Sequence, residues 1–487
     1  MKITVSVTIH PNDEHAAAVV RDVLTIERDH LSSDTFGLHL HEAKDLLRVV
    51  QETMATEQAR AALAGAAVCA SCGAAHRHKD TRPIVVRTPY GVLHLDSPRW
   101  WHCLCTPATA ATFSPLAELL PERATPELMY LETKFAGLAP YGAGAKLLAE
   151  VLPLGRRLHA TAVRLHAQAV AQRLEDELGA EQFSFIDTCQ REREEELPRP
   201  DLPILVGLDG GYVHSAAQRS RTDGWFEVIA GKIVPAEGKP TRFAYVQTYD
   251  SKPKRRLYQA LRAQGMQDNQ CVTFLTDGGE DIRDLPCYLN PQSEHLLDWF
   301  HITMRITVMA NMAKSLQPPP PAGDTDSAGL PSAQVPRPDL AGQIAEDLQR
   351  LKWLLWHGNV FRALITITQI TVGTEIARDG PEQARMAKAI GEFDSYIRAN
   401  TDRIPNYGER RRAGEAISTA FTESTVNQVI SKRMVKKQQM RWTPRGAHLL
   451  LQIRTRVLDG RLDADFHRWY PGFAHCPPPA EDLADAA

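Results

Sequence analysis

Two matching runs narrow the fold of this chain more than anything else in it: PILVGLD at 203–209 and VTFLTD at 272–277. Each is short, apolar and rich in β-branched residues, and each stops on an aspartate followed by glycines (Gly210 and Gly211; Gly278 and Gly279). A continuous apolar run closed by glycine suits a strand buried on both faces. The aspartate then falls at the carboxyl end of its strand. Either Asp-Gly step alone is ordinary turn punctuation. Two such ends side by side bring two carboxylates together, and these repel unless a divalent cation lies between them.

The segments around these runs give an order of elements. Strands are expected at 211–217, 225–234 and 243–248, a helix at 251–264, the strand ending on Asp277, and a helix near 281–289. SEHLLDWFHITMRITVMANM then reads as a strand running into a helix, with Asp298, Trp299, Phe300 and His301 at the junction. Three antiparallel strands, a helix, a parallel strand and another helix is the order of an RNase H-like domain, in which the first and fourth strands are neighbours. That order brings Asp209 close to Asp277.

Upstream, CASCG begins at Cys69 and WHCLC ends at Cys105, separated by an alternating hairpin pattern. Cys69, Cys72, Cys103 and Cys105 offer four thiolates for a structural zinc ion, which supplies folding energy to a unit too small for a core of its own. The second pair is Cys-x-Cys, so His76, His78, His94 or His102 remain alternative ligands. Arg77, Lys79, Arg82, Arg87 and Arg99 suit the ribbon to DNA, and a purely structural staple accounts for it equally. Residues 140–152 and 158–174 read as two helices joined by PLGRR, in helix-turn-helix proportions. Thr161, Arg164, Gln168 and Gln172 would share one polar face of the second; helical hairpins are also common without DNA. At the start, an alternating strand and then a helix over about 38–63 are expected, with Ala43, Leu46, Leu47, Val50 and Met54 on its packed face.

The fold class is thus α+β and multidomain, in keeping with 487 residues and about three ordinary domains. We divide the chain into an N-terminal strand and helix region (1–66), a zinc ribbon (67–110) and a helical region of helix-turn-helix type (111–180). The RNase H-like core follows in two parts, 200–316 and 413–470. Between them lie a Pro-rich disordered linker (317–339) and an all-helical insertion (340–412), and a tail occupies 471–487. Net charge is −3, so no global basicity advertises nucleic acid. From Glu409 to Arg461, however, twelve Lys and Arg stand against four acids, enough to neutralise phosphates or to make a solvated helix face. No apolar run is long enough for a bilayer, and the first residues reach polar ones too early for a signal peptide. A cytoplasmic protein with reduced thiols and no membrane partner is the expectation.

LDGGYVH, FLTDGGEDI, LDWFHI and TESTVNQVISKRMVKKQQMRW, in that order behind the CASCG ribbon, resemble DDE transposases of bacterial insertion sequences. The resemblance is to the ISKra type, with kinship to the ISL and Mutator-like groups, and it spans most of the chain. It implies a catalytic triad of Asp209, Asp277 and Glu423 that holds two Mg²⁺ or Mn²⁺ ions, with the helical block as the insertion before the glutamate. His301 would match the histidine of the D-x-x-H motif in Mutator-like relatives. Lys432, Arg433, Lys436, Lys437 and Arg441 would hold DNA phosphates, Trp442 would offer a stacking surface, and Arg164 would belong to the DNA-reading helix. The implied partners are terminal inverted repeats, target DNA and at least a second copy of the chain, in a bacterial, nucleoid-associated setting. Glu423 competes with Glu415 for the third position, and it also suits a helix's first turn on dipole grounds alone. His301 suits equally a buried histidine capping the preceding strand. Two other activities fit the same residues: an RNase H-like nuclease without strand transfer, and a catalytically silent zinc-dependent DNA-binding protein.

Overall fold

The computed structural model describes residues 1–10, 18–105, 111–155, 157–186, 203–217, 224–279, 293–316, 339–435 and 440–474, with single residues 189, 192, 197 and 289. Two compact units emerge, Met1–Leu174 with Arg456–Ala487, and Glu175–Thr455. The linker expected at 317–339 and the tail from 475 lie almost wholly outside the described residues, as does the helix expected near 281–289.

In the first unit, β1 (Lys2–Ile9) and β2 (Val19–Glu27) form an antiparallel pair, followed by helix α1 (Leu40–Ala66). α1 meets the hairpin of β3 (His78–Thr88) and β4 (Gly91–Trp101), where Ile84, Val86, Leu93 and Leu95 present alternate positions to Ala55, Ala59, Ala62 and Leu63. The packed face of α1 is thus its small-residue C-terminal half. Leu47 and Met54, assigned to that face from periodicity, are exposed instead. A short β5 (Thr112–Phe113) extends the hairpin, and α2 (Pro115–Leu119), α3 (Pro126–Leu138), α4 (Tyr141–Val151) and α5 (Ala160–Glu177) follow. The last helix among the described residues, Leu462–Trp469, sets Phe466 against Tyr130 of α3.

The second unit is built on a five-stranded sheet. β6 (Ile204–His214) pairs antiparallel with β7 (Trp225–Val234), and β7 with β8 (Thr241–Val246). On the other side of β6, β9 (Val272–Thr276) and β10 (Ser293–Leu297) run parallel to it, giving the order β10-β9-β6-β7-β8. Alternation along β6 explains its composition. Ile204, Val206 and Leu208 enter a core with Phe274, Leu257 and Leu261, the last two from helix α6 (Pro253–Arg262). Gly207, Asp209 and Gly211 face the other way. One expectation is overturned here: the two strands expected on either side of Asp209 are one continuous strand, and Asp209 lies inside it opposite Ala230. The glycines that looked like turn residues continue the ladder.

After β10 the chain leaves the sheet through α7 (Trp299–Ala313) into α8 (Leu340–Trp356), α9 (Val360–Ile376), α10 (Pro381–Ala399) and α11 (Tyr407–Arg412). Ile306, Met309, Leu348, Leu351, Ile367, Ile370, Ile390 and Phe393 form their common core. The chain returns at Thr419 and enters α12 (Ala420–Val426), which passes without a break into a π-helix, Asn427–Val435. α13 (Pro444–Leu458) completes the unit.

Candidate metal and nucleic-acid site

The register of the parallel strands aligns three aspartates. β6 and β9 pair as far as Gly207 with Leu275, and β9 and β10 as far as Thr276 with Leu297. Continued along the strands, the same register sets Asp209 level with Asp277 and Asp277 level with Asp298. Electrostatics agree with that placement. Burial and then the Asp277 charge push the Asp209 carboxyl up to about 6, with Asp298 adding to the rise and His301 opposing it. Part of each carboxylate is already fixed: Gly210 N donates to Asp209 Oδ1 at 2.8 Å, and Gly279 N to Asp277 Oδ1 at 3.0 Å.

Asp298 was not singled out from the sequence as a functional residue. The signal was present, since HLLD at 295–298 is a third apolar run ending on aspartate. Asp298 is fully buried and caps α7, accepting from Phe300 N at 2.8 Å. His301 Nδ1 lies 2.8 Å from Asp298 Oδ2, and Thr419 Oγ donates to the same oxygen. These hydrogen bonds outweigh burial and hold the Asp298 carboxyl below its usual range. In return, Asp298 raises His301 above its ordinary value, against burial and with the help of the Asp277 and Asp209 charges. His301 is half-buried and held on a carboxylate, one turn into a helix that begins at the aspartate level.

Glu423 is exposed in the first turn of α12. This helix lies against the β6 face that bears Asp209: a Cβ on Gly207 would run into Thr422 Oγ and the Phe421 ring, and one on Gly211 would come 3.0 Å from Ile430 Cδ1. Asp209 sits between these two glycines on the same face, so the helix passes over it; among the described residues Glu423 does not join Asp209 and Asp277 in a group tight enough to hold one ion. Glu415, the alternative, is elsewhere. It pairs with Arg410, which also binds Glu294, four residues before Asp298 on β10. Four residues of strand are about 13 Å, so Glu415 belongs to the opposite end of the sheet.

The basic residues proposed to hold phosphates separate into distinct environments. Lys432 and Arg441 are exposed, as is Arg164 on α5. Arg433 is fully buried, its guanidinium 5.4 Å from the centre of the Trp442 ring. Trp442 is itself only 5% exposed. The expectation that Arg433 and Trp442 meet DNA therefore fails: in the π-helix Arg433 turns inward with Val429, Ile430 and Met434, and Trp442 closes over it. Lys436 and Lys437 lie outside the described residues. On the β-ribbon, Arg99 is committed to Asp80, while Arg77, Lys79 and Arg82 remain exposed.

A separate donor cluster is formed by Cys69, Cys72, Cys103 and Cys105, whose sulfurs all lie within 4.8 Å of one another. Cys69 Sγ is 3.4 Å from Cys105 Sγ, and Cys72 Sγ 3.4 Å from Cys103 Sγ. Zinc–sulfur bonds of about 2.3 Å in a tetrahedron require sulfurs roughly 3.8 Å apart, so the four thiols fit such an ion. The Cys103 thiol is held below its ordinary value, first by the Cys105 main chain and then by the Cys105 and Cys72 thiols. The irregular Cys-x-Cys knuckle closes without histidine. His76 and His102 pack on Phe113, and His78 meets Thr81. A further group close enough to hold a metal is Glu175, Asp250 and His448. Arg256 occupies it, with its guanidinium 2.8 Å from both Glu175 and Asp250 and 3.3 Å from His448 Nε2. That cluster already has its cation.

No protein-family model matches this chain, and no curated protein matches it. Among solved structures, the Drosophila P element transposase strand transfer complex is similar, with a TM-score of 0.32 and 10% sequence identity, over 69% of this chain and 93% of that one. So loose a likeness leaves function to the chain's own residues. Among the described residues, no helix is long and apolar enough to cross a membrane.

Proposed function

We propose that the protein is a metal-dependent DNA transposase of the DDE kind, with an RNase H-like catalytic core. The alignment of Asp209 with Asp277 on adjacent parallel strands carries this reading. The Asp277 charge makes ionisation of Asp209 costly, and a divalent cation there would relieve that cost. Asp209, Asp277 and Glu423 would hold Mg²⁺ or Mn²⁺, hard cations that favour carboxylate oxygens. Bound there, two such ions activate an attacking oxygen and stabilise a leaving one in phosphodiester transfer. His301, whose protonated form Asp298 favours, would add positive charge beside the scissile phosphate when protonated. Lys432 and Arg441 on the surface, Arg164 on α5 and the zinc ribbon's exposed cations would hold the terminal repeats, and pairing of two ends would call for at least two copies of the chain.

The test is cleavage and joining on a labelled DNA that carries the element's own end, with Mg²⁺ or Mn²⁺. Wild type is compared with Asp209→Ala, Asp277→Ala and Glu423→Ala. Joined products from wild type and none from the three variants are the expected result. Cutting without joining would leave a nuclease in its place. Binding without cutting, in wild type as in the variants, would leave a DNA-binding protein with a silent core.

A further inference from the structure

The helical insertion reaches back to the aspartate level at Tyr396. Tyr396, in the last turn of α10, donates its hydroxyl to the main-chain carbonyl of Asp277 at 2.9 Å. Burial pushes the Tyr396 hydroxyl well above its ordinary value, so it is a donor at any working pH. Next to it, the fully buried Asn400 has its amide 2.9 Å from Tyr396 O and 3.5 Å from Gly278 O. Gly278 has φ +81°, where a Cβ would lie 2.6 Å from Leu297 Cδ1 and 2.9 Å from the Asn400 amide. The backbone therefore turns sharply out of β9 in a cradle made partly by the insertion. Arg305, one turn past His301 on α7, lies over the Tyr396 ring at 4.2 Å and steadies it from the other side.

We propose that Tyr396 is a positioning residue for Asp277: its hydroxyl fixes the carbonyl of that residue and so the direction in which the carboxylate leaves the strand. The inference rests on the reading of Asp209 and Asp277 as cation ligands. It gives the insertion a role in the chemistry. A shift of α10 relative to the sheet would pull on the Asp277 peptide through this hydrogen bond. Mg²⁺ is the more sensitive reporter, because it demands near-ideal octahedral geometry where larger cations tolerate deviation.

The test is Tyr396→Phe in the full chain, which removes the hydroxyl and keeps the ring beneath Arg305. Mn²⁺ binding without DNA is followed by calorimetry, Mg²⁺-dependent and Mn²⁺-dependent cleavage by titration of each metal, and metal-free stability by thermal melting. One hydrogen bond of ordinary strength predicts an apparent Mg²⁺ affinity about three- to tenfold weaker. Partial rescue by Mn²⁺ and a nearly unchanged metal-free melt are expected with it. Asn400→Ala should shift metal dependence in the same direction. If Asp277→Ala abolishes Mn²⁺ binding while Tyr396→Phe binds and cleaves like wild type, the positioning role is wrong and the site stands. If Asp277→Ala itself leaves Mn²⁺ binding intact, the site reading has failed, and the inference with it. A Tyr396→Phe protein that loses metal-free stability and both metals' activities in proportion would show a structural tyrosine only.

Discussion

Burial and Asp277 push the Asp209 carboxyl up to about 6 from an ordinary 3.8, so its charge opposes folding when no cation is bound. The folded state holds the proton more tightly than the unfolded one, and stability falls as pH rises from about 4 to about 6, then stays lower. Asp209→Asn should therefore stabilise the metal-free protein at pH 8, by on the order of 1 kcal/mol once partial exposure is allowed for. The same change should erase the rise in melting temperature that Mn²⁺ gives the wild type. Melts with and without Mn²⁺ at pH 5 and pH 8 measure both, and a wild-type melt indifferent to Mn²⁺ at pH 8 would remove the aspartate pair as a cation site. For His301 the sign is the same, although here the charged form is the favoured one: Asp298 raises it, so the stabilisation from this pair is present below the ordinary value of 6.5 and lost as pH rises through the folded one. In Asp298→Asn the imidazole should titrate lower, which NMR of the ring protons would follow. Asp209 and Asp277 drew attention in the sequence because each ends an apolar run on a charge, whereas Asp298, behind only two leucines, did not, and the strand in fact continues through Asp209. Arg433 was not legible, because a count of basic residues is blind to which of them a helix turns inward.

At the scale of elements, the segment from Ala420 to Val435 does two things that its sequence does not announce. It changes from α to π geometry at Asn427, and π segments of any length are rare and concentrate at functional places. Nothing in TVNQVISKRMV marks that change, since a period of 3.6 and one slightly longer differ little over nine residues. It also approaches β6 so closely that only glycine fits at position 207. Gly210 and Gly211 were read as turn chemistry, whereas at Gly207 and Gly211 the close approach of the helix to the sheet is what leaves room for so little. Gly207→Ala should displace α12, and with it Glu423, from its seat. Overpacking of this kind costs about 1–3 kcal/mol, so the variant should fold with a lowered melting temperature and lose DNA cleavage well beyond that loss of stability. A variant as active as wild type would mean that the position of Glu423 relative to the strand is immaterial.

Over the whole molecule, the four cysteines and the aspartates belong to different compact units. A chelator strong enough for a structural zinc ion should therefore lower the stability of the unit that contains the β3–β4 ribbon and leave the melting of the five-stranded unit in place. Calorimetry with and without chelator, repeated on Cys72→Ser, checks this; a uniform loss of both transitions would contradict it. The presence of the strands was readable from short apolar runs, although two of the expected strands are one, Ile204–His214. The grouping of the last helix with Tyr130 and Phe473 was not, because such a contact joins residues more than three hundred positions apart and leaves no periodic trace.

The insertion leaves the sheet after Asp298 and returns at Thr419, and at that point Trp299 N donates to Ile417 O at 3.1 Å while Thr419 Oγ donates to the Asp298 carboxylate. Departure and return thus meet at a doorway one hydrogen bond wide. A chain can gain, exchange or shed everything beyond such a doorway without rerouting a strand, so the insertion is a cassette in the topological sense. Yet the lintel of the doorway is Asp298, the same side chain that holds His301. Whatever is hung on the far side is fastened to the chemistry by its hinge.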